Sequence, residues 1–207
     1  MYSNLPNLLT LSRIASIPIL VALLYFHDPI MRWAALALFA LAGVTDYLDG
    51  YLARTRGQTT AMGRIFDPIA DKLLVSSVIV ILVAIDQIQG WLVIPAIVIL
   101  CREILVSGLR EYLAEIKVPL PVSRLAKWKT ALQMIALGFL IVGEEAGPAS
   151  IPVDFIGDTG LWIAALLTFV TGRDYLARGL KHMGDDAPTS PSTEKPAAGS
   201  LGQTDET

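Results

Sequence analysis

The chain is short of charge, histidine and cysteine. Of its 207 residues, 17% are Asp, Glu, Lys or Arg and 54% are hydrophobic, with a mean hydropathy of +0.57. Ordinary soluble domains carry about 25% charged residues, so this composition excludes a water-soluble globule. The single cysteine, Cys101, lies in an apolar run, forms no intrachain disulfide and reads as a small buried apolar residue. With one cysteine and two histidines, a metal site built from clustered Cys and His is excluded as well. Met1 to Asn7 lacks a basic stretch, and no small-residue cleavage site follows. The first apolar segment is therefore expected to be a retained helix. Neither a solenoid-length repeat nor a pair of inverted halves is visible.

What the chain has in quantity is apolar runs, at 8–26, 34–44, 69–85, 91–106, 132–142 and 161–170. A crossing takes about 20 residues, so the shorter runs must borrow flanking polar turns. The expected fold class is all-α: an integral membrane bundle of about six transmembrane helices. Basic residues gather between runs two and three (Arg54, Arg56, Arg64), between four and five (Arg110, Lys117, Arg124, Lys127, Lys129) and after six (Arg173, Arg178, Lys181). The alternate connections hold acids, with Arg32 their one base. By the positive-inside rule both termini are expected to be cytoplasmic. Residues 184–207 contain five acids, one lysine and almost no large apolar side chain, which predicts a disordered acidic tail behind a membrane domain spanning 1–183. That tail holds more negative charge than the chain's net −3, so the acidic pI says nothing about a substrate. No nucleic-acid partner is expected.

The informative stretch is DYLDGYLARTRGQTTAMGRIFDPIAD, Asp46 to Asp71. Asp46 and Asp49 are three apart, Asp67 and Asp71 four apart, so each pair shares one face of its helix. Residues 54–63 are expected to form the turn between these helices, and Pro68 suits a third helix starting near Arg64, where early N–H groups have no intrahelical partner. Four carboxylates brought together at a membrane boundary repel and need cations. Oxygen ligands select Mg²⁺ or Mn²⁺, and four carboxylates suit two ions, the arrangement that clamps a phosphoryl centre. Gly50, Ala53 and Gly63 leave room for a ligand against the backbone, and Arg54 can bond a phosphate.

The pattern D-x2-D-G-x2-A-R-x8-G-x3-D-x3-D resembles the signature of the CDP-alcohol phosphotransferases at every specified position. The resemblance implies a six-helix membrane domain, usually a homodimer, with two metal ions held by Asp46, Asp49, Asp67 and Asp71. It makes Asp71 the general base as well, and places a CDP-linked donor over Gly50, Arg54 and Thr60. Asn7 and Thr10, one turn apart on the first helix, can hydrogen-bond the nucleotide or a phosphate; helix capping accounts for Asn7 equally well.

Beyond the signature, PNLLTLSR (Pro6 to Arg13), REILVSGLRE (Arg102 to Glu111) and AKWKTALQM (Ala126 to Met134) are similar to segments of the bacterial phosphatidylglycerophosphate synthases, apart from Ala126 where glycine is expected. This likeness implies transfer of a phosphatidyl group from CDP-diacylglycerol to sn-glycerol 3-phosphate in the bacterial inner membrane, with the site facing the cytoplasm. Arg102, Arg110, Arg124, Lys127, Lys129 and Arg173 are then the candidates for holding the acceptor phosphate, Arg102 above all because it stands inside an apolar helix. Family members making cardiolipin, phosphatidylserine or phosphatidylinositol phosphate are the alternative. The acyl chains of the donor are expected to stay in the membrane lipid without a pocket.

Overall fold

The computed structural model describes residues 5–56, 61–116 and 124–185, and all regular structure among them is helical. Six helices follow in order: α1 (Leu5–Tyr25), α2 (Pro29–Arg56), α3 (Ala61–Ala84), α4 (Val93–Glu115) after a short 3-10 turn at Gly90–Leu92, α5 (Arg124–Ala146) and α6 (Val153–Asp185). Among the described residues four stretches are long and apolar enough to cross a membrane: Leu8–Tyr25, Pro29–Asp46, Gly90–Ala114 and Val153–Ala177. At 24 and 23 residues, α3 and α5 reach about 35 Å and match them in length, but both carry charges within their turns. The chain is thus a membrane protein with six helices among the described residues.

The helix boundaries have local causes. Asp28 caps α2: its Oδ1 accepts from the N–H groups of Ile30 at 2.8 Å and Met31 at 3.2 Å, with Pro29 in the first helical position. α2 runs through to Arg56 and α3 begins at Ala61, so the connection is shorter than the expected 54–63, and residues 57–60, Thr60 included, lie outside the described residues. The earlier start corrects the reading of Pro68. It stands inside α3 and removes the N–H that the Arg64 carbonyl would otherwise accept. α6 reaches Asp185, and the remainder of the acidic tail lies outside the described residues.

α1 packs against α2 and α3, α2 against α5, α4 against α6, and the broadest contact is α5 on α6. Leu20, Leu24, Phe39, Leu74, Ile79, Leu82, Ile99, Leu137 and Leu161 interdigitate in one core. The outer surface is equally apolar: Leu8, Ile19, Val80, Ile104, Leu166 and Phe169 are all exposed. Such a surface would drive aggregation in water and is what lipid requires, because each helix satisfies its own backbone. Cys101 belongs to this outer surface and is not the buried residue the sequence suggested.

At the end away from the Asp-rich motif, Arg32 explains its own exception to the charge pattern. It is 2% exposed. Its Nη1 donates to Gln87 Oε1 at 2.8 Å and approaches the Ile141 and Val142 carbonyls at 3.5 Å, while Nη2 lies 3.5 Å from Glu145. Gln87 in turn donates to Asp154 Oδ1 at 2.9 Å. The guanidinium therefore meets the carbonyl end of α5, where a cation is favoured, and joins α2, α5, α6 and the connection after α3. Gly143 makes room for it. Its φ of 64° ends the regular helix there, and a Cβ at this residue would lie 2.6 Å from Arg32 Nη1 and 2.8 Å from Gln87 Oε1. Gly143→Ala is expected to cost about 1–3 kcal/mol from the backbone conformation alone, with the clash added, read as an earlier unfolding transition in mixed micelles. A variant as stable as the parent would remove Gly143 from this role.

Candidate active site

The Asp-rich motif is assembled around α1. Thr10 and Arg13 are one turn apart, on one face of that helix, and are 2% and 3% exposed. Thr10 Oγ1 donates to Asp67 Oδ1 of α3 at 2.5 Å, and Arg13 Nη1 pairs with Asp46 Oδ1 of α2 at 2.7 Å. One helix face thus reaches both acidic helices. Ser16 Oγ bonds the Arg13 carbonyl at 2.7 Å. Asp46 and Asp71 both line a cavity of about 790 Å³, with Arg13 at the same end. Asp71 lies within electrostatic range of Asp46, Glu103, Lys72 and Arg13. The backbone of α2 carries Asp49 one turn beyond Asp46, but the side chains of Asn7, Asp49, Gly50, Ala53, Arg54, Gly63, Arg124 and Lys127 lie outside the described residues.

Among the described residues no three Asp, Glu, His or Cys side chains form a metal-binding group. The described carboxylates nevertheless fit a hard divalent cation in their chemistry. Asp46 and Asp71 open onto one cavity, and Asp67 is bonded by the Thr10 hydroxyl.

A second polar cluster joins α4, α5 and α6. Lys129 Nζ forms a short ion pair with Glu103, and Arg102 Nη1 lies 3.6 Å from the same carboxylate. Arg102 Nη2 donates to Thr171 Oγ1 at 3.2 Å, and its guanidinium stands 5.7 Å from the Tyr175 ring centre, with Arg110 at 5.8 Å. Gly172 lets α4 approach: a Cβ there would meet Arg102 Cγ at 2.9 Å. Arg173, two residues past Thr171 and exposed, occupies a different face of α6. Of the six basic candidates, the structure thus brings Arg102 and Arg110 together, spends the charge of Lys129 on Glu103, and sets Arg173 apart.

A model of the family described as CDP-alcohol phosphatidyltransferase matches residues 3–170. The chain belongs to the CDP-alcohol phosphatidyltransferase family. It is therefore an enzyme, a phosphotransferase, and the Asp46–Asp71 motif is the family's signature segment on α2 and α3. A protein of Rickettsia typhi is 51% identical over 172 residues, covering 83% of this chain and 94% of the relative. One from Cereibacter sphaeroides is 39% identical, covering 88% and 98%, and one from Pectobacterium atrosepticum is 43% identical, covering 85% and 94%. All three are named CDP-diacylglycerol–glycerol-3-phosphate 3-phosphatidyltransferase.

Sequence reasoning missed Arg13, Glu103, Thr171 and Tyr175. A basic residue one turn after Thr10 inside an apolar helix was the available signal for Arg13, and Glu103 beside Arg102 was the signal for a buried pair. The Lys129–Glu103 pair makes a quantitative expectation. Side-chain exposures of 3% and 20% mean that Glu103→Gln strands a buried ammonium, at about 3–5 kcal/mol, whereas replacing both partners with apolar residues of similar size costs far less. Unfolding of Glu103→Gln and of Glu103→Leu/Lys129→Met in mixed micelles separates the two; equal losses would show that the pair is not held as described.

Proposed function

We propose that this phosphatidyltransferase moves the phosphatidyl group of CDP-diacylglycerol onto the primary hydroxyl of sn-glycerol 3-phosphate, releasing CMP and giving phosphatidylglycerophosphate. The observation that carries the reading is the position of Asp71, in one cavity with Asp46 and in electrostatic reach of Glu103 beside the Arg102 cluster. A base so placed can serve a donor held by the acidic motif and an acceptor held by the cations. The names and high identity of the bacterial relatives support the same substrates.

In this reading Asp46, Asp49, Asp67 and Asp71 hold two Mg²⁺ or Mn²⁺ ions, which when bound supply positive charge to the donor diphosphate. Arg13 and Thr10 orient Asp46 and Asp67. Gly50, Ala53, Arg54, Thr60, Gly63 and Asn7 are this reading's candidates for contacting the donor nucleotide. Asp71 takes the proton of the acceptor hydroxyl as that oxygen bonds the phosphorus carrying diacylglycerol, and the bond from that phosphorus to the CMP oxygen breaks. Arg102 and Arg110 receive the acceptor phosphate, joined by Tyr175. The Tyr175 hydroxyl and Arg102 Nε are buried and have no hydrogen-bond partner among the described residues, so both are unspent donors suited to a phosphate monoester. The burial of Arg32 supports the orientation expected from the loops, with both termini and the site on the cytoplasmic side of a bacterial inner membrane; the family resemblance supports a homodimer.

Purified protein supplied with CDP-diacylglycerol and a panel of acceptors is expected to release CMP with glycerol 3-phosphate, to stop on chelation and to recover with Mg²⁺ or Mn²⁺. Asp71→Asn should lower kcat by about 10²- to 10⁴-fold while donor binding persists. Tyr175→Phe should raise KM for glycerol 3-phosphate and leave KM for the donor unchanged. Turnover with serine or inositol phosphate in place of glycerol 3-phosphate would overturn the acceptor assignment.

A further inference from the structure

Arg13, Lys72 and Lys129 all lie within electrostatic range of Asp71. Arg13 is paired with Asp46 and Lys129 with Glu103. Lys72 differs from both: among the described residues its ammonium meets only a neutral group, the Pro68 carbonyl of its own helix, at 2.9 Å. A carbonyl takes up one of the three ammonium hydrogens and leaves the charge uncompensated, which is unfavourable for a half-buried side chain of a membrane helix.

The adjacent carboxylate does not meet that demand. Consecutive residues of a helix point about 100° apart, so Lys72 and Asp71 stand on different faces of α3, and the bond to Pro68 draws the ammonium back by a turn toward the start of the helix. The bilayer does not meet it along the outer surface either. The outward stripe of α3 is Phe66, Ile69, Leu73 and Val80, all exposed. Lys72 shares its face instead with Val75 and Ile79, three and seven residues on and both buried. Its stem therefore belongs to a face turned toward the protein, beside the acidic motif.

Resting on the phosphatidyl-transfer reading, we propose that Lys72 is a further substrate-contacting residue, whose ammonium binds the phosphate monoester of the acceptor. The two phosphate-bearing substrates then divide between two faces of α3. The donor diphosphate belongs with the metal ions of the Asp67 and Asp71 face, where an ammonium would compete with those ions for the same oxygens. The acceptor phosphate carries nearly two negative charges at neutral pH and has no metal assigned to it, so it needs cations of the protein. Arg102 and Arg110 come from α4, and Lys72 comes from the helix that carries the base. One helix thereby holds the acceptor at its phosphate and takes the proton from its hydroxyl, which fixes the two ends relative to each other.

The test is CMP release by the full chain in mixed micelles, with glycerol 3-phosphate and CDP-diacylglycerol varied in turn. Loss of a charge-assisted hydrogen bond in Lys72→Met should raise KM for glycerol 3-phosphate about 10- to 100-fold. The donor KM and the Mg²⁺ requirement should stay as in the parent, and Lys72→Arg, which keeps the charge, should recover most of the loss. Inorganic phosphate should compete with glycerol 3-phosphate in the parent and weaken as an inhibitor by the same factor in Lys72→Met. Where that variant turns over too slowly for kinetics, the rise in unfolding temperature on adding glycerol 3-phosphate reads the affinity without turnover: the parent should shift and the variant should not. Added phosphatidylglycerol separates the other source of phosphate. If it alters the parent and not Lys72→Met while both keep the same acceptor KM, Lys72 serves a lipid headgroup and the acceptor contact is overturned. A donor KM or Mg²⁺ requirement raised by the same factor as the acceptor KM would overturn it too, by showing that the substitution acts through the aspartates. A parent active with glycerol 3-phosphate and matched by Lys72→Met sinks only the Lys72 contact, whereas a parent that uses serine and not glycerol 3-phosphate sinks the acceptor reading with it.

Discussion

A carboxylate at membrane depth must be met by a cation or a donor, and the pair Arg13–Asp46 is where this fold meets that demand first. An uncompensated charge in such surroundings costs several kcal/mol, so the apolar helix α1 can carry Arg13, 3% exposed, only if α2 brings Asp46 to it. The same face of α1 brings Thr10 to Asp67 of α3. Two contacts one turn apart therefore fix the relative height and rotation of three helices, and hydrocarbon packing by Leu20, Leu24, Leu74 and Leu82 fills in below them. Packing alone would tolerate sliding by a turn, since apolar ridges repeat; a buried guanidinium paired with a carboxylate of another helix does not.

The cationic side is arranged by a different imbalance. Arg102 and Arg110 approach the same Tyr175 ring at 5.7 and 5.8 Å, and Glu103, 3.6 Å from Arg102, is shared with Lys129. Three cations thus converge on one carboxylate and one aromatic face. A cluster with such an excess of positive charge is poised for an anion, in the way that the acidic motif is poised for cations. Asp71 is within electrostatic range of members of both groups, Asp46 and Glu103, which suits the proton transfer proposed for it.

The carboxylate pairs, their helical spacing and the all-helical membrane fold were legible because they are local: Asp46 to Asp49 and Asp67 to Asp71 follow from helix periodicity, and the apolar runs from their length. Partners drawn from separate helices were not. Nothing in the neighbourhood of Arg13 names Asp46, and nothing beside Arg32 names Gln87, Glu145 or the carbonyls of α5. Arg32 read as a lone base on the acidic side because a loop count sees charge and not burial. Pro68 was displaced for a related reason: α3 starts three residues earlier than a proline-based rule expects, since packing of the whole helix against α1 outweighs one missing backbone bond.

The two buried arginines show how the structure divides stability from function. Arg32 is enclosed by protein: a side-chain amide, two main-chain carbonyls, a carboxylate, and a glycine with no room for a methyl group. These contacts hold the two terminal nitrogens of the guanidinium, and their loss would loosen the junction of α2, α5 and α6. Arg13 is as buried, yet its partner Asp46 keeps 45% of its side chain exposed and opens onto the cavity. A carboxylate paired with a fixed cation keeps its orientation while part of it faces the cavity. The first arginine ties one end of α2 to α5 and the second ties the other end to α1, and the length of α2 between them is left apolar.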